Sequence, residues 1–159
     1  MKKIELTQGK VAIVDDEDYE ELSKYKWFFS SGYARRGLAR QNGRPAAILL
    51  HVAIMGKMVG LEIDHVNGDR LDNRRENLRH VTRSQNNQNQ APGREGASSQ
   101  HKGVSWYKRD KLWTAQIKAD GKKCHLGRYE SERDAAIAYN TAAIKHFGEY
   151  ARINIIQEG

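Results

Sequence analysis

The chain has 159 residues and a mass of 18.1 kDa, with 38% hydrophobic and 30% charged residues and a mean hydropathy of -0.82. That is room for one ordinary domain or a few very small ones with thin cores, and it excludes the large α/β catalytic scaffolds. The longest apolar stretch, AAILLHVAIM, is too short to span a bilayer, and MKKIELTQGK lacks the apolar run of a secretory signal, so neither a membrane segment nor export is expected. Cys124 stands alone, which leaves no disulfide framework and no cysteine zinc cluster and points to a reducing cytoplasm. Twenty-seven Lys and Arg against 20 Asp and Glu give +7 and a pI of about 9.5. The polyanion such a balance attracts, with no membrane signal beside it, is nucleic acid.

In chain order, Ile4 to Leu6 and Val11 to Val14 predict a hairpin around TQGK, Asp15 the cap of a short helix through Lys24, and Trp27-Phe28-Phe29 a strand. Gly32-Tyr33 and Asn42-Gly43 are turn signals, so 1–45 reads as a small β-rich unit whose aromatics form its core. Residues 46–90 follow as a second piece. The polar stretch 86–100 contains Pro92, Gly93 and Gly96, which predicts a helix end and a flexible linker over 91–100. The charge excess gathers after it: residues 101–128 hold eight bases against Asp110 and Asp120, a local +6.

The segment LEIDHVNGDRLDNRRENLRHVTRSQNNQNQ carries the most chemistry. Leu61 to His65 alternates as a strand with Ile63 buried, Asn67-Gly68 turns, Leu78 to Val81 forms a second strand, and Thr82 caps a helix beginning near Arg83. Strand, loop, strand and helix would let the carboxylate of Asp64, the imidazole of His65 and the amide of Asn86 converge. Phosphodiester hydrolysis requires a water deprotonated near neutral pH and a hard cation to absorb charge on the phosphate. His65 has the matching ordinary pKa, about 6.5. Oxygen donors on Asp64 and Asn86 suit Mg²⁺ or Mn²⁺, whereas zinc calls for more His or Cys.

The string DHVNGDRLDNRRENLRHVT with its trailing QN resembles the HNH endonuclease family, in the branch found among phage and bacterial homing endonucleases whose last motif residue is Asn. The resemblance implies that Asp64 and Asn86 are metal ligands, that His65 is the general base, and that Asn77 holds the loop that aims its ring. Asn73 and Asn87 stand beside these as alternatives. Upstream, His51-Val52-Ala53 occupies the place where the family often has HRL; without the Arg, His51 is read as structural.

In 101–156, Val104 and Trp106, then Trp113, Ala115 and Ile117, then Cys124 and Leu126 share one face of three strands, and Asp120-Gly121 closes the second hairpin. Ser131 caps a helix, ERDAAIAYNTAAIKHFG, whose alanines let it sit close on that face, with Trp106 and Trp113 beneath it and Gly148 ending it. KGVSWYKRDKLWTAQIK, HLGRY and DAAIAYNTAAIKHFGEYARIN resemble the AP2 DNA-binding domain. That resemblance carries over Lys102, Gln116, Lys118, Lys123 and His125 as DNA contacts, with Ser105 in place of an Arg and His125 in place of a Trp. Tyr107, Lys108 and Arg109 are counted with these DNA contacts, in a hairpin whose length differs from the plant pattern.

The expectation is therefore an α+β protein: a β-rich N-terminal unit, a ββα-metal nuclease, a linker, and an AP2-like three-stranded antiparallel sheet on one helix. It would cut double-stranded DNA at a preferred site with Mg²⁺ or Mn²⁺ and no small-molecule cofactor or membrane, in a bacterial cytoplasm, nucleoid-associated or phage-encoded. The alternative is a regulator that binds DNA through the same sheet without cutting. The Asp64, His65, Asn77 and Asn86 set argues against it.

Overall fold

The computed structural model describes residues 1–91 and 96–156; within the predicted linker over 91–100, residues 92–95 lie outside the described residues. The chain forms two compact units, Met1–Asn86 and Asn87–Gly159. Both mix short helices with small antiparallel sheets, an α+β composition. No helix among the described residues is long and apolar enough to cross a membrane.

In the first unit, β1 (Lys2–Glu5) pairs antiparallel with β2 (Val11–Val14), and α1 (Asp16–Leu22) follows directly. β3 (Phe28–Ser30), β4 (Tyr33–Gln41) and β5 (Arg44–Leu49) form a second antiparallel sheet, turning at Ser31-Gly32 and at Asn42-Gly43, all four residues at positive φ. A two-residue Asn-Gly turn of this kind matches the right-handed twist of the strands it joins. After α2 (Leu50–Met55) come β6 (Glu62–His65), β7 (Leu78–Val81) and α3 (Arg83–Asn89), the helix within which the first unit ends, with β6 antiparallel to β7.

The segments 1–45 and 46–90, read from composition as two pieces, share one core. Ile4, Leu6, Ala12, Val14, Trp27 and Ala34 pack with Leu50, Ile54 and Leu78. Leu50 and Val14 are fully buried, each contributing roughly 2 kcal/mol by removing its side chain from water. Trp27 adds a hydrogen bond, Nε1 donating to the Leu22 carbonyl at 2.9 Å.

Two local readings are corrected. Asp15 stands at the start of α1 but makes no side-chain cap. Its Oδ2 instead accepts from the Arg75 backbone N–H at 2.7 Å, and Asp18 takes the Arg75 guanidinium at 2.7 and 2.9 Å. The acidic first turn of α1 thus anchors the loop before β7. Ile63 is only partly buried, while Asp64 and His65 beside it are buried. At α3, Thr82 Oγ1 accepts from Gln85 N–H and Gln85 Oε1 accepts from Thr82 N–H at 2.8 Å, a reciprocal cap.

In the second unit, β8 (Val104–Tyr107), β9 (Leu112–Ala119) and β10 (Lys122–Tyr129) form an antiparallel sheet in the order β10-β9-β8, with α4 (Glu132–Phe147) packed on it. Ser131 Oγ accepts from the N–H groups of Arg133 and Asp134, and Gly148 at φ 54 ends the helix. Ala135, Ala136, Tyr139 and Ala143 are buried against Val104, Ala115 and Ile117. Trp106 departs from its expected place under α4. It lies on the edge strand, 37% exposed, with its ring edge-on to Trp113 at 5.1 Å.

Candidate active site

The 66–77 loop owes its shape to short polar side chains bonding to nearby backbone. Asn67 Oδ1 accepts from Asp69 N–H, and Asp69 Oδ1 from Leu71 N–H. Asn77, buried, closes the loop with both ends of its amide: Oδ1 accepts from Asn67 N–H at 2.9 Å and Nδ2 donates to the Asp72 carbonyl at 2.7 Å. The Asp72 carboxylate receives the Arg74 guanidinium at 2.8 and 2.9 Å and Asn67 Nδ2 at 2.9 Å. The Arg74 guanidinium is the main reason that carboxylate is held below its usual range. Backbone bonds Asn73 N–H to Ile13 O and Ile13 N–H to Leu71 O, both 2.8 Å, tie the loop to β2.

This frame delivers Asn73, with no exposed surface, to His65. Asn73 Oδ1 lies 3.4 Å from His65 Nε2, and Asn73 Nδ2 points to the Arg70 carbonyl at 3.4 Å. With the amide oriented that way, Nε2 carries the ring proton and Nδ1 the lone pair. The His65 ring is bounded by His51, edge-on at 5.0 Å, and by Tyr33 at 6.3 Å. Burial is the main cause that lowers the His65 pKa, partly opposed by the Asn73 hydrogen bond.

Asp64 has other partners. Consecutive strand residues project to opposite faces, and the buried Asp64 carboxylate meets Arg79 on β7 at 2.9 Å. Glu62, two residues back and therefore on the face of Asp64, accepts from Asn86 Nδ2 at 2.6 Å. His65 thus contacts His51, Tyr33 and Asn73, Asp64 pairs with Arg79, Glu62 pairs with Asn86, and the Asp64 charge also acts on His65. Among the described residues no group of three or more His, Cys, Asp and Glu side chains could hold a metal. The oxygen donors of Asp64 and Asn86 fit a cation that keeps most of its water shell.

His51 on α2 is buried and its pKa is depressed to about 4, first by desolvation and then by His65. An unfolded histidine at the ordinary 6.5 takes up its proton first, so stability falls as pH drops through the window from 6.5 to about 4. The His51 share of the loss from about pH 7 to about pH 5 is roughly 2 kcal/mol. Urea unfolding at both pH values checks this: His51→Phe should flatten the difference, and an unchanged difference would place the proton elsewhere.

In the second unit, cross-strand pairs Gln116 with His125 and Lys118 with Lys123 set four of the predicted DNA-facing residues side by side on β9 and β10. Lys118, Lys123 and His125 are exposed. Tyr107 ends β8, and Lys108 and Arg109 occupy the turn before β9. Lys102 is turned inward: its ammonium donates to the carbonyls of Gln88 at 2.6 Å and Gln90 at 2.7 Å, and burial lowers its pKa to about 8. Sequence reasoning left Arg128 out of this face. A bulge between His125 and Gly127 shifts the register so that Arg128 pairs with Thr114, and its guanidinium lies 4.7 Å from the Tyr107 ring. The signal was Gly127 within a strand, at φ 135.

The family model for HNH endonuclease matches residues 50–88. An uncharacterized HNH endonuclease, L560, of Acanthamoeba polyphaga mimivirus is 29% identical over 94% of this chain and 77% of its own length. Protein 3.8 of Escherichia phage T7 is 30% identical over 58% of this chain and 75% of its own. The AP2-like ethylene-responsive transcription factor TOE2 of Arabidopsis thaliana is 39% identical over 40% of this chain, a match that spans 13% of the plant protein. No solved structure matches. With the DHVNGD…LDNRREN loop folded around His65 and the three-stranded sheet packed on α4, these likenesses support an HNH endonuclease with an AP2-like region.

Proposed function

We propose that this chain is a metal-dependent DNA endonuclease of the homing type, with the sheet of its C-terminal unit as the target-binding module. The observation that carries the reading is the restraint on His65. Asn73 fixes one ring nitrogen, His51 and Tyr33 bound the ring, and burial keeps the imidazole neutral to lower pH. A neutral imidazole of defined tautomer is what a general base requires.

In the proposed reaction, His65 Nδ1 takes a proton from water, the water oxygen bonds to phosphorus, and the bond from phosphorus to the 3′ oxygen breaks. Asn73 holds the opposite nitrogen, so that the ring is aimed before substrate arrives. Asn77 acts one step further out, by closing the loop that presents Asn73. A divalent cation, when bound, supplies charge neutralisation at the phosphate and the departing oxygen. Asp64 and Asn86 would hold it, and a cation on Asp64 must share that carboxylate with Arg79. Base contacts and phosphate contacts from Gln116, Lys118, Lys123 and His125 would raise the local concentration of the nuclease at its target.

Incubation with supercoiled plasmid tests the reading. Relaxed or linear DNA is expected with Mg²⁺ or Mn²⁺ and none in EDTA, and Asp64→Ala and Asn86→Ala should each lower activity. Full activity in EDTA overturns the metal dependence. A silent Asn86→Ala beside an inactive Asn87→Ala would move the ligand by one residue.

A further inference from the structure

Charge in the first unit is sharply divided along the chain. Residues 1–22 hold three bases and seven acids, and residues 23–61 hold seven Lys or Arg and no Asp or Glu. Acids of the first stretch are used within the fold, where Asp15 and Asp18 bind Arg75. The motif arginines are likewise neutralised, Arg74 by Asp72 and Arg79 by Asp64. The four arginines of β4 and β5 are different. Arg40 and Arg44 are exposed and form no ion pair with a described residue, and the buried Nε atoms of Arg35 and Arg36 have no hydrogen-bond partner.

The shape of this element matters as much as its charge. From Gly37 to Pro45 the described side chains of the hairpin are exposed on both faces, so its outer half is a two-stranded ribbon that belongs to no core. Such a ribbon is marginal alone, and its width suits a DNA major groove about 12 Å across. Its root is fixed. Tyr33, at the start of β4, lies against His51 and His65 at 5.4 and 6.3 Å, and Arg36 is stacked on Tyr25 at 3.6 Å. Arg35 follows Tyr33 on the same strand face, about 7 Å further along. Positive charge therefore runs outward along the ribbon from Arg35 and Arg36 to Arg40 and Arg44, with Glu21 acting on Arg36 at the root and no Asp or Glu within residues 23–61.

We propose that the β4–β5 ribbon is a second DNA-docking surface, whose arginines grip the phosphate backbone of the duplex beside the bond presented to His65. The placement beside that bond rests on the nuclease reading; the docking does not.

The test uses the full chain and a fluorescent duplex in EDTA, titrated across a salt series, with nicking in Mg²⁺ measured separately. Arg40→Ala with Arg44→Ala, both at exposed positions, should weaken binding about ten-fold at low salt and lower the salt slope by about one unit per phosphate contact removed. Arg40→Lys with Arg44→Lys should restore most of the slope, because phosphate contact needs charge. The charge reversal Lys118→Glu with Lys123→Glu on the C-terminal sheet should add to the ribbon loss. Wild-type affinity and slope in the alanine pair, with unchanged melting, overturn the proposal even where nicking is normal. Weakened binding by the alanine pair with no nicking by the wild type leaves docking in place and removes the nuclease reading.

Discussion

His65→Ala should lower the rate of plasmid nicking about 10²- to 10⁴-fold, the usual cost of losing a general base, while duplex affinity in EDTA stays within about two-fold of wild type. The separation follows from the geometry. His65 is buried among His51, Tyr33 and Asn73, so it offers little surface to a duplex before the reacting phosphate is seated. Asn73→Ala should give a smaller loss with the same unchanged affinity, because the ring remains but its Nε2 loses the acceptor that selects the tautomer. Asn77→Ala should act more broadly, freeing both Asn67 N–H and the Asp72 carbonyl and so loosening the loop. Single-turnover nicking and anisotropy on the same preparations check all three. Wild-type nicking by His65→Ala would remove the imidazole from the mechanism, and equal losses in rate and affinity would make it a structural residue.

The local pattern of this site was legible in the sequence because strands, turns and caps are set by neighbours. Alternation around Asp64 and His65, Asn67-Gly68 at the turn and Thr82 before α3 all mark the elements that form. What the sequence hid were contacts between residues far apart. Asn73 reaches His65 because Ile13 holds the Asn73 backbone, and Asp15 is drawn from its capping position by Arg75, 60 residues later. The AP2 resemblance carries Lys102 over as a DNA contact, whereas its ammonium donates to two backbone carbonyls that the local sequence does not reveal. Arg128 was hidden by a one-residue bulge that reverses the parity of everything after it. The arginine ribbon was averaged away: a window over 1–45 sums the acids of α1 with the bases of β4 and β5, although the two lie on separate elements.

Gly103→Ala should unfold the C-terminal unit and leave the first unit folded. Gly103 has φ 74, where an added Cβ is already unfavourable. Here that Cβ would also enter the ring of Tyr139 and lie 2.5 Å from the Gln116 carbonyl oxygen. Neither neighbour can yield. Tyr139 is buried in the α4 contact, and the Gln116 backbone is fixed in β9, its N–H donating to the Gly103 carbonyl at 2.8 Å. Strain of this kind exceeds about 4 kcal/mol, which rivals the whole stability of a small unit whose core is mainly alanine with Val104, Ile117 and Tyr139. Tryptophan reports the outcome by position, since Trp27 lies in the first unit and Trp106 and Trp113 in the second. The expected variant retains the buried Trp27 emission, loses the near-UV signal of the Trp106–Trp113 pair, and is cut by protease to a fragment near the length of 1–86. It should still nick plasmid in Mg²⁺, with weaker and less selective binding, because the ribbon and the His65 site remain while the sheet is lost. Loss of both tryptophan signals in one transition would show that the two units fold as one.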